Sequence, residues 1–124
     1  MKKISLALTA AVLFAACGND AKNIHTVEAD DFATVIGQKQ LTLIDVRTAE
    51  EYAEGHIEGA VNIDVKQDTF AEQAKELGDT VAVYCLRGSR SMKAATLLAK
   101  EGREVYNLAG GITAWQNAGH ATIQ

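Results

Sequence analysis

The stretch from Val81 to Ser91 places one cysteine between an apolar run and a basic loop. The apolar run ends at Cys85, and the five residues that follow it are Leu86, Arg87, Gly88, Ser89 and Arg90. The next segment, Met92–Lys100, has apolar side chains at helical spacing, so it predicts a helix. The thiol therefore lies where a strand passes through a short loop into a helix.

The loop after Cys85 has the composition of an anion-binding turn. Gly88 permits a backbone conformation in which successive N–H groups point inward, and such groups can bind an anion. The helix N-terminus adds partial positive charge, and the two arginines add full charges. Because these groups favour a thiolate over a thiol, the pattern predicts a nucleophilic cysteine in an anion-binding loop. The alternative is an inert cysteine that merely ends a core strand.

The sequence contains two cysteines, Cys17 and Cys85, and no C-x-x-C pair. A thioredoxin-like dithiol and a zinc ribbon both need such a pair, so the sequence predicts neither, and we predict no metal site. If Cys17 is modified, Cys85 is the one thiol left. In an oxidising compartment such a thiol is either buried and inert or exposed for its reactivity.

The N-terminal segment has the features of a secretion signal. Met1–Lys3 is basic, Ile4–Ala16 is apolar and uncharged, and Cys17 follows two alanines. The apolar run is shorter than the roughly 20 residues of a membrane-spanning helix. The sequence "LFAAC" resembles the bacterial lipoprotein box, which implies cleavage before Cys17 and lipidation of that residue. A plain secretion signal, which leaves Cys17 as a free or disulfide-bonded thiol, is the alternative.

The resemblance to a lipoprotein also implies how the chain is organised. We predict a signal peptide over residues 1–16, a lipidated cysteine and short polar tether over 17–23, and one domain over 24–124. The lipid would hold the protein on a membrane of the bacterial cell envelope, facing the periplasm or the exterior. Gly18 replaces the aspartate that retains some lipoproteins at the inner membrane, which favours the outer membrane.

The charge balance is acidic, with 12 Lys and Arg against 16 Asp and Glu and a formal net charge of −4. The acidic residues are scattered over the predicted helices, and the sequence has no basic stripe. We therefore predict that nucleic acid is not a partner. The sequence indicates no particular protein partner.

Short apolar runs alternate with amphipathic segments from residue 24 onward. The runs predict five strands, at Ile24–Val27, Leu41–Val46, Ala60–Ile63, Thr80–Cys85 and Glu104–Leu108. Strands that alternate with helices predict an α/β domain, with a small, open, mostly parallel sheet and helices on both faces. In such sheets ligand sites lie beyond the carboxyl ends of the strands. Asp45 and Cys85 both lie at or near strand ends, so we expect them at this edge.

Two predicted helices begin with a capping-box pattern. In this pattern a threonine accepts from a backbone N–H three residues later, and a glutamate at that later position reaches back to the threonine N–H. Thr48 with Glu51 and Thr69 with Glu72 match it. We predict a capping box at both helix starts.

Three blocks of the sequence resemble a single-domain rhodanese, which is a sulfurtransferase. They are "LIDVRTAEEYAEGHIEGAVNI" (Leu43–Ile63), "VYCLRGSRS" (Val83–Ser91) and "YNLAGGITAW" (Tyr106–Trp115). They occur in the family's order at sensible spacing, and the likeness runs from Ile24 to the C-terminus. The expected fold is therefore rhodanese-like.

The resemblance implies that Cys85 is the nucleophile and carries a persulfide between a sulfur donor and an acceptor. The donor would be thiosulfate or a persulfide and the acceptor a thiol or cyanide, with no metal or organic cofactor. The loop from Leu86 to Arg90 would form a backbone cradle that Arg90 closes. Asp45 and Arg47 match the family's D-x-R and would hold the active-site face together. Packing roles are implied for His56, Gly110, Gly111 and Trp115.

Two other functions stay open at this point. A binding or sulfide-sensing module of the cell envelope with little turnover could also retain Cys85. A cysteine-dependent phosphatase or arsenate reductase is the second, because rhodanese-like folds also host phosphatases. Those enzymes use C-x5-R, whereas Cys85 to Arg90 is C-x4-R, and the shorter loop leaves less room for a tetrahedral phosphoryl group.

Overall fold

The computed structural model describes residues 22–124, in which five strands alternate with five helices. The strands are β1 (Ile24–Val27), β2 (Thr42–Asp45), β3 (Val61–Asn62), β4 (Thr80–Tyr84) and β5 (Glu104–Leu108). The helices are α1 (Ala29–Gln38), α2 (Ala49–Glu54), α3 (Phe70–Ala74), α4 (Ser89–Lys100) and α5 (Gly111–Asn117). Each predicted strand is present, and its ends differ from the prediction by no more than one residue.

The strands form one sheet in the order β1-β5-β4-β2-β3, and every pairing is parallel. The predicted α/β class and parallel sheet are therefore confirmed. Asp45 is the last residue of β2 and pairs with Tyr84, the last residue of β4. Because Cys85 comes directly after β4, the two residues lie at the same edge of the sheet, as the strand pattern predicts.

Helices cover both faces of the sheet, and successive residues of β4 contribute to opposite faces. Val81, Val83 and Cys85 belong to the cluster that packs against α3 and α4. Ala82 and Tyr84 belong to the cluster that packs against α1 and α5. The Cys85 side chain therefore faces the layer in which α4 begins.

The two predicted capping boxes have different outcomes. At the start of α2 the Thr48 hydroxyl accepts from the Glu51 N–H, and the Glu51 carboxylate accepts from the Thr48 N–H, so this box is confirmed. At the start of α3 the prediction is wrong, because Thr69 has φ −88° and ψ 8° and makes no capping hydrogen bond. Its hydroxyl instead accepts from the Gln73 side chain at 2.8 Å.

Within residues 22–124 no helix has the length and apolar character needed to cross a membrane. The same residues contain no group of three or more His, Cys, Asp or Glu side chains arranged to hold a metal ion. Cys85 is a free, buried thiol. The predicted signal peptide and Cys17 lie outside the described residues, so lipidation stays a prediction.

Candidate active site

The Cys85 sulfur accepts hydrogen bonds from two backbone N–H groups of the loop and helix that follow it. The N–H of Gly88 lies 3.1 Å from Sγ and that of Ser91 lies 3.2 Å from it. Gly88 precedes α4 with φ +118°, a left-handed conformation that glycine adopts without a β-carbon clash. Two convergent N–H groups at a helix start stabilise negative charge on sulfur, and they form a cradle around Cys85 Sγ.

Ser91 is a member of this site that the sequence analysis missed. Its side chain is fully buried, its Oγ lies 3.5 Å from Cys85 Sγ, and it donates to the Gly88 carbonyl at 3.1 Å. The predicted loop ended at Arg90, one residue too early. The signal was available, because a residue in the first turn of a helix still has a free backbone N–H.

The other predicted loop residues differ in what they contribute. Leu86 is half-buried and packs against the cluster below α1 and α5. Arg87 and Ser89 are exposed. None of these three side chains contacts Cys85 Sγ within the described part of the chain.

The Arg90 guanidinium binds a carboxylate of α2. Its Nη1 donates to Glu51 Oε1 at 2.7 Å and its Nη2 to Glu51 Oε2 at 3.0 Å. The same carboxylate accepts from the N–H and the hydroxyl of Thr48, both at 3.1 Å. Glu51 therefore joins the cysteine loop to the start of α2, a role that the capping pattern alone did not reveal.

The Glu51–Arg90 pair is ionised throughout the ordinary pH range. The hydrogen bonds from Arg90 lower the pKa of Glu51 to about 2, against its usual 4.5, although partial burial opposes the shift. The bonds from Glu51 in turn raise the pKa of Arg90. Because the folded-state pKa of Glu51 is depressed, its stabilising contribution is present above about pH 4.5 and is lost as the pH falls toward 2.

Asp45 and Arg47 form a buried ion pair beside the site. Asp45 is fully buried and Arg47 is 5 % exposed, and Arg47 Nη2 lies 2.6 Å from Asp45 Oδ2. Arg47 Nη2 also donates to the Gly55 carbonyl at 2.7 Å, and the Asn62 amide donates to the carbonyls of both paired residues. The pair thus ties β2 to the end of α2 and to β3, and it reaches Cys85 only through neighbouring residues.

The pKa values of Arg47 and of the neighbouring Tyr84 are both raised. Burial disfavours the Arg47 cation, but the hydrogen bonds and charge of Asp45 outweigh that effect and raise the pKa of Arg47. Burial and the negative charge of Asp45 raise the pKa of Tyr84. The Tyr84 hydroxyl accepts from the Ile57 N–H at 3.0 Å. These pKa shifts agree with a structural role for the ion pair and for Tyr84.

The N-terminus of α5 packs directly beneath the cysteine loop. The N–H of Ile112 donates to the Cys85 carbonyl at 2.9 Å, and that of Thr113 to the Leu86 carbonyl at 3.2 Å. Gly111 has φ +65°, and a β-carbon there would lie 2.6 Å from Arg87 N and still closer to the Leu86 carbonyl. The backbones of α5 and the loop therefore touch at Gly111, which fits the packing role implied for this glycine.

The histidines lie apart from the cysteine. His56 stacks on Tyr52 with ring centroids 3.7 Å apart, which agrees with its implied packing role. His25 and His120 pair with the exposed carboxylates of Glu104 and Asp30. Among the described residues no histidine contacts Cys85.

A family model described as "Rhodanese-like domain" matches residues 28–118 of this chain. The chain belongs to the rhodanese-like family. The family resemblance of the three sequence blocks is thereby confirmed.

Two relatives in this family carry sulfurtransferase names. Thiosulfate sulfurtransferase 18 of Arabidopsis thaliana is 36 % identical over 110 residues, covering 77 % of this chain and 80 % of the relative. Thiosulfate sulfurtransferase PspE of Escherichia coli is 38 % identical over 71 residues, covering 56 % of this chain and 68 % of the relative. Other matching relatives are named tRNA uridine(34) hydroxylase, and this chain covers less than a third of their length. The family therefore contains sulfurtransferases together with proteins named for other activities.

A solved rhodanese-related protein from Thermoplasma volcanium has the same fold. Its crystal structure superposes with a TM-score of 0.72 at 29 % identity, covering 80 % of this chain and 97 % of that one. The rhodanese-like fold with its five-stranded parallel sheet is thus shared with this structural neighbour.

Proposed function

We propose that this protein is a sulfurtransferase that moves a sulfane sulfur from a donor, such as thiosulfate or a persulfide, to a thiol or cyanide acceptor. The observation that carries the proposal is the pair of N–H groups, from Gly88 and Ser91, that converge on Cys85 Sγ. They supply the electrostatic support that a thiolate nucleophile and its persulfide product both need. The sulfurtransferase names of two relatives point the same way.

The proposed reaction has two displacement steps at sulfur. The Cys85 thiolate attacks the sulfane sulfur of thiosulfate, a new S–S bond forms, and sulfite leaves with the electron pair of the broken bond. The outer sulfur of the Cys85 persulfide is then attacked by the acceptor, and the Cys85 thiolate leaves. With cyanide as acceptor the product is thiocyanate. Sulfite and the thiolate leave as anions, so neither step needs a general acid.

Mass spectrometry of the intact protein tests this function directly. After incubation with thiosulfate or a persulfide, followed by removal of the donor, we expect the mass of one additional sulfur atom on the Cys85 peptide. Addition of cyanide should remove that mass and release thiocyanate. A thiol that acquires no sulfur from either donor would exclude the enzyme and would leave a binding or sensing module.

We expect Arg90→Ala to reduce sulfur transfer by roughly 10- to 150-fold, the range for the loss of one charge-assisted hydrogen bond of about 1.5–3 kcal/mol. The substitution frees the loop from α2 and leaves the Glu51 carboxylate without its arginine partner. The measurement is kcat/KM for transfer to cyanide. Lys93→Ala is the matched control, because Lys93 is exposed on α4 and its substitution also removes one positive charge. Equal losses in both variants would contradict a role for the Arg90 contact.

We further propose that Cys17 is acylated and holds the protein on a bacterial envelope membrane. The support is the basic N-terminus, the apolar run and "FAAC" in the sequence. Stable anchoring takes more than one acyl chain, at about 0.8 kcal/mol for each buried methylene, and a diacylated cysteine meets that need. We expect the N-terminal peptide of the native protein to carry acyl mass and the protein to fractionate with membranes. A native protein that is soluble and unacylated would refute this proposal.

A further inference from the structure

The guanidinium group of Arg90 is already bound by a carboxylate of the protein itself. Its two terminal nitrogens each donate to one oxygen of Glu51, at 2.7 and 3.0 Å, and both side chains are partly buried. Arg90 thus binds Glu51 in a bidentate manner, through the same two nitrogens with which an arginine would bind a sulfonate. Arg90 therefore shapes the loop, but its charge is largely cancelled for an incoming anion.

The other charged side chains near the loop are one exposed cation, Arg87, and one carboxylate, Asp64. Arg87 is exposed and makes no ion pair in residues 22–124, so its charge is open to screening by salt. Cys85 and, to a smaller extent, Asp64 lie close enough to Arg90 for their negative charges to raise its pKa. Leu86, which directly follows the nucleophile, is apolar. The two arginines are therefore balanced in number by the carboxylates of Glu51 and Asp64, and the Cys85 thiolate adds one more negative charge.

This charge balance matters because the possible donors differ in charge. Thiosulfate is a dianion, and its sulfane sulfur can be taken only if it approaches a third negative charge on Cys85. A persulfide R–S–SH is neutral, or singly charged when ionised. We propose that Glu51 is a specificity-determining residue, which makes the site select sulfane sulfur bound to a thiol over thiosulfate. This proposal rests on the sulfurtransferase function proposed above.

The transfer from a persulfide balances without any other reactant. The Cys85 thiolate attacks the terminal sulfur of R–S–SH, the Cys85–sulfur bond forms, and the S–S bond of the donor breaks. The R–S⁻ thiolate leaves with the electron pair, and the proton stays on the new Cys85 persulfide. One sulfur atom has moved, and no net oxidation has occurred.

The burial of the nucleophile supports the same selection. Cys85 is only 1 % exposed, so a donor has to bring its sulfane sulfur into a narrow loop. In a persulfide that sulfur ends a slim, two-coordinate chain, whereas in thiosulfate it is attached to a tetrahedral sulfonate. Shape and charge therefore favour the same class of donor.

The test compares how fast two probe donors, cysteine persulfide and thiosulfate, charge Cys85 in the full chain. Single-turnover formation of the Cys85 persulfide is followed by mass spectrometry, so that no acceptor influences the result. The salt concentration is about 0.15 M, at which the exposed charge of Arg87 is screened over about 8 Å. Glu51→Gln removes the negative charge, yet glutamine also serves at this position of a capping box. Glu50→Gln is the matched control, because Glu50 lies in the same first turn but is exposed and does not contact Arg90.

We expect the wild-type protein to prefer cysteine persulfide over thiosulfate by at least about tenfold, the factor that one charge-assisted hydrogen bond commonly commands. Glu51→Gln should move this ratio toward thiosulfate by roughly 2- to 5-fold, and Glu50→Gln should leave it in place. Equal wild-type rates with the two donors would overturn the inference even if the variant failed to fold. So would an unchanged ratio in a folded Glu51→Gln protein. If neither donor charges Cys85, the sulfurtransferase function itself fails.

Discussion

Replacing Cys85 with serine should abolish sulfur transfer and the added sulfur mass together. A serine hydroxyl does not ionise at neutral pH, and its oxygen cannot hold a sulfane sulfur as a persulfide does. The cradle itself should remain, because the N–H groups of Gly88 and Ser91 can bond an oxygen in the same place. The measurement is transfer from donor to cyanide, together with the mass of the protein after exposure to donor.

The sequence supplies a matched control for this substitution. Cys17 is the other cysteine of the chain, so Cys17→Ser removes the same chemical group outside the described domain. We expect Cys17→Ser protein to retain transfer and the Cys85 adduct, even where its membrane attachment is lost. If transfer survives in Cys85→Ser and disappears in Cys17→Ser, the nucleophile is Cys17 and not Cys85.

Gly111→Ala should destabilise the protein and disrupt the cysteine loop. The left-handed backbone at φ +65° costs about 1–2 kcal/mol for a residue with a β-carbon. That carbon would also strike the backbone of Leu86 and Arg87, and overpacking of this kind commonly costs about 1–3 kcal/mol. We therefore expect the free energy of unfolding to fall by roughly 2–5 kcal/mol. Sulfur transfer should fall with it, because the clash displaces the loop that holds Cys85.

Gly119→Ala separates the two costs of the Gly111 substitution. Gly119 has φ +92°, but a β-carbon there would meet no atom within 4 Å. It should therefore show only the backbone cost of about 1–2 kcal/mol and keep normal transfer. Urea unfolding and transfer assays of both variants make the comparison. Equal destabilisation of the two proteins would show that the contact between α5 and the loop carries no energy.

Local patterns were sufficient to predict the strands, the parallel sheet and the position of Cys85. The reason is that each depends on signals within a few residues, such as the apolar run Val81–Tyr84 and the glycine at position 88. The capping box at Thr48 was predictable for the same reason. The capping box predicted at Thr69 is absent because the Thr69 backbone is not extended. The Thr69 hydroxyl accepts a hydrogen bond from the Gln73 side chain instead of a capping bond.

The contacts that cross the fold could not be derived from local pattern. Glu51 and Arg90 are separated by 39 positions, and only the packing of α2 against the cysteine loop brings them together. The capping box accounts for Glu51 by local contacts alone, so nothing in the sequence indicated that Glu51 also binds Arg90. The position of Gly111 against Leu86 is likewise a product of how α5 docks. Residue types predicted a nucleophile at Cys85, while the tertiary structure revealed which charges lie near it.

The strand order has a consequence for how the molecule fluctuates. β4 is the middle strand, with hydrogen-bonded neighbours on both sides, whereas within residues 22–124 β1 and β3 are each paired on one side only. Local opening requires the least free energy at such edges and the most at the centre of a sheet. Fraying of the first strand, which connects to the N-terminal segment, can therefore occur while the strand that carries Cys85 stays closed. The loop that holds Cys85 follows the central strand of the sheet, so fraying of β1 need not disturb the geometry around the Cys85 sulfur.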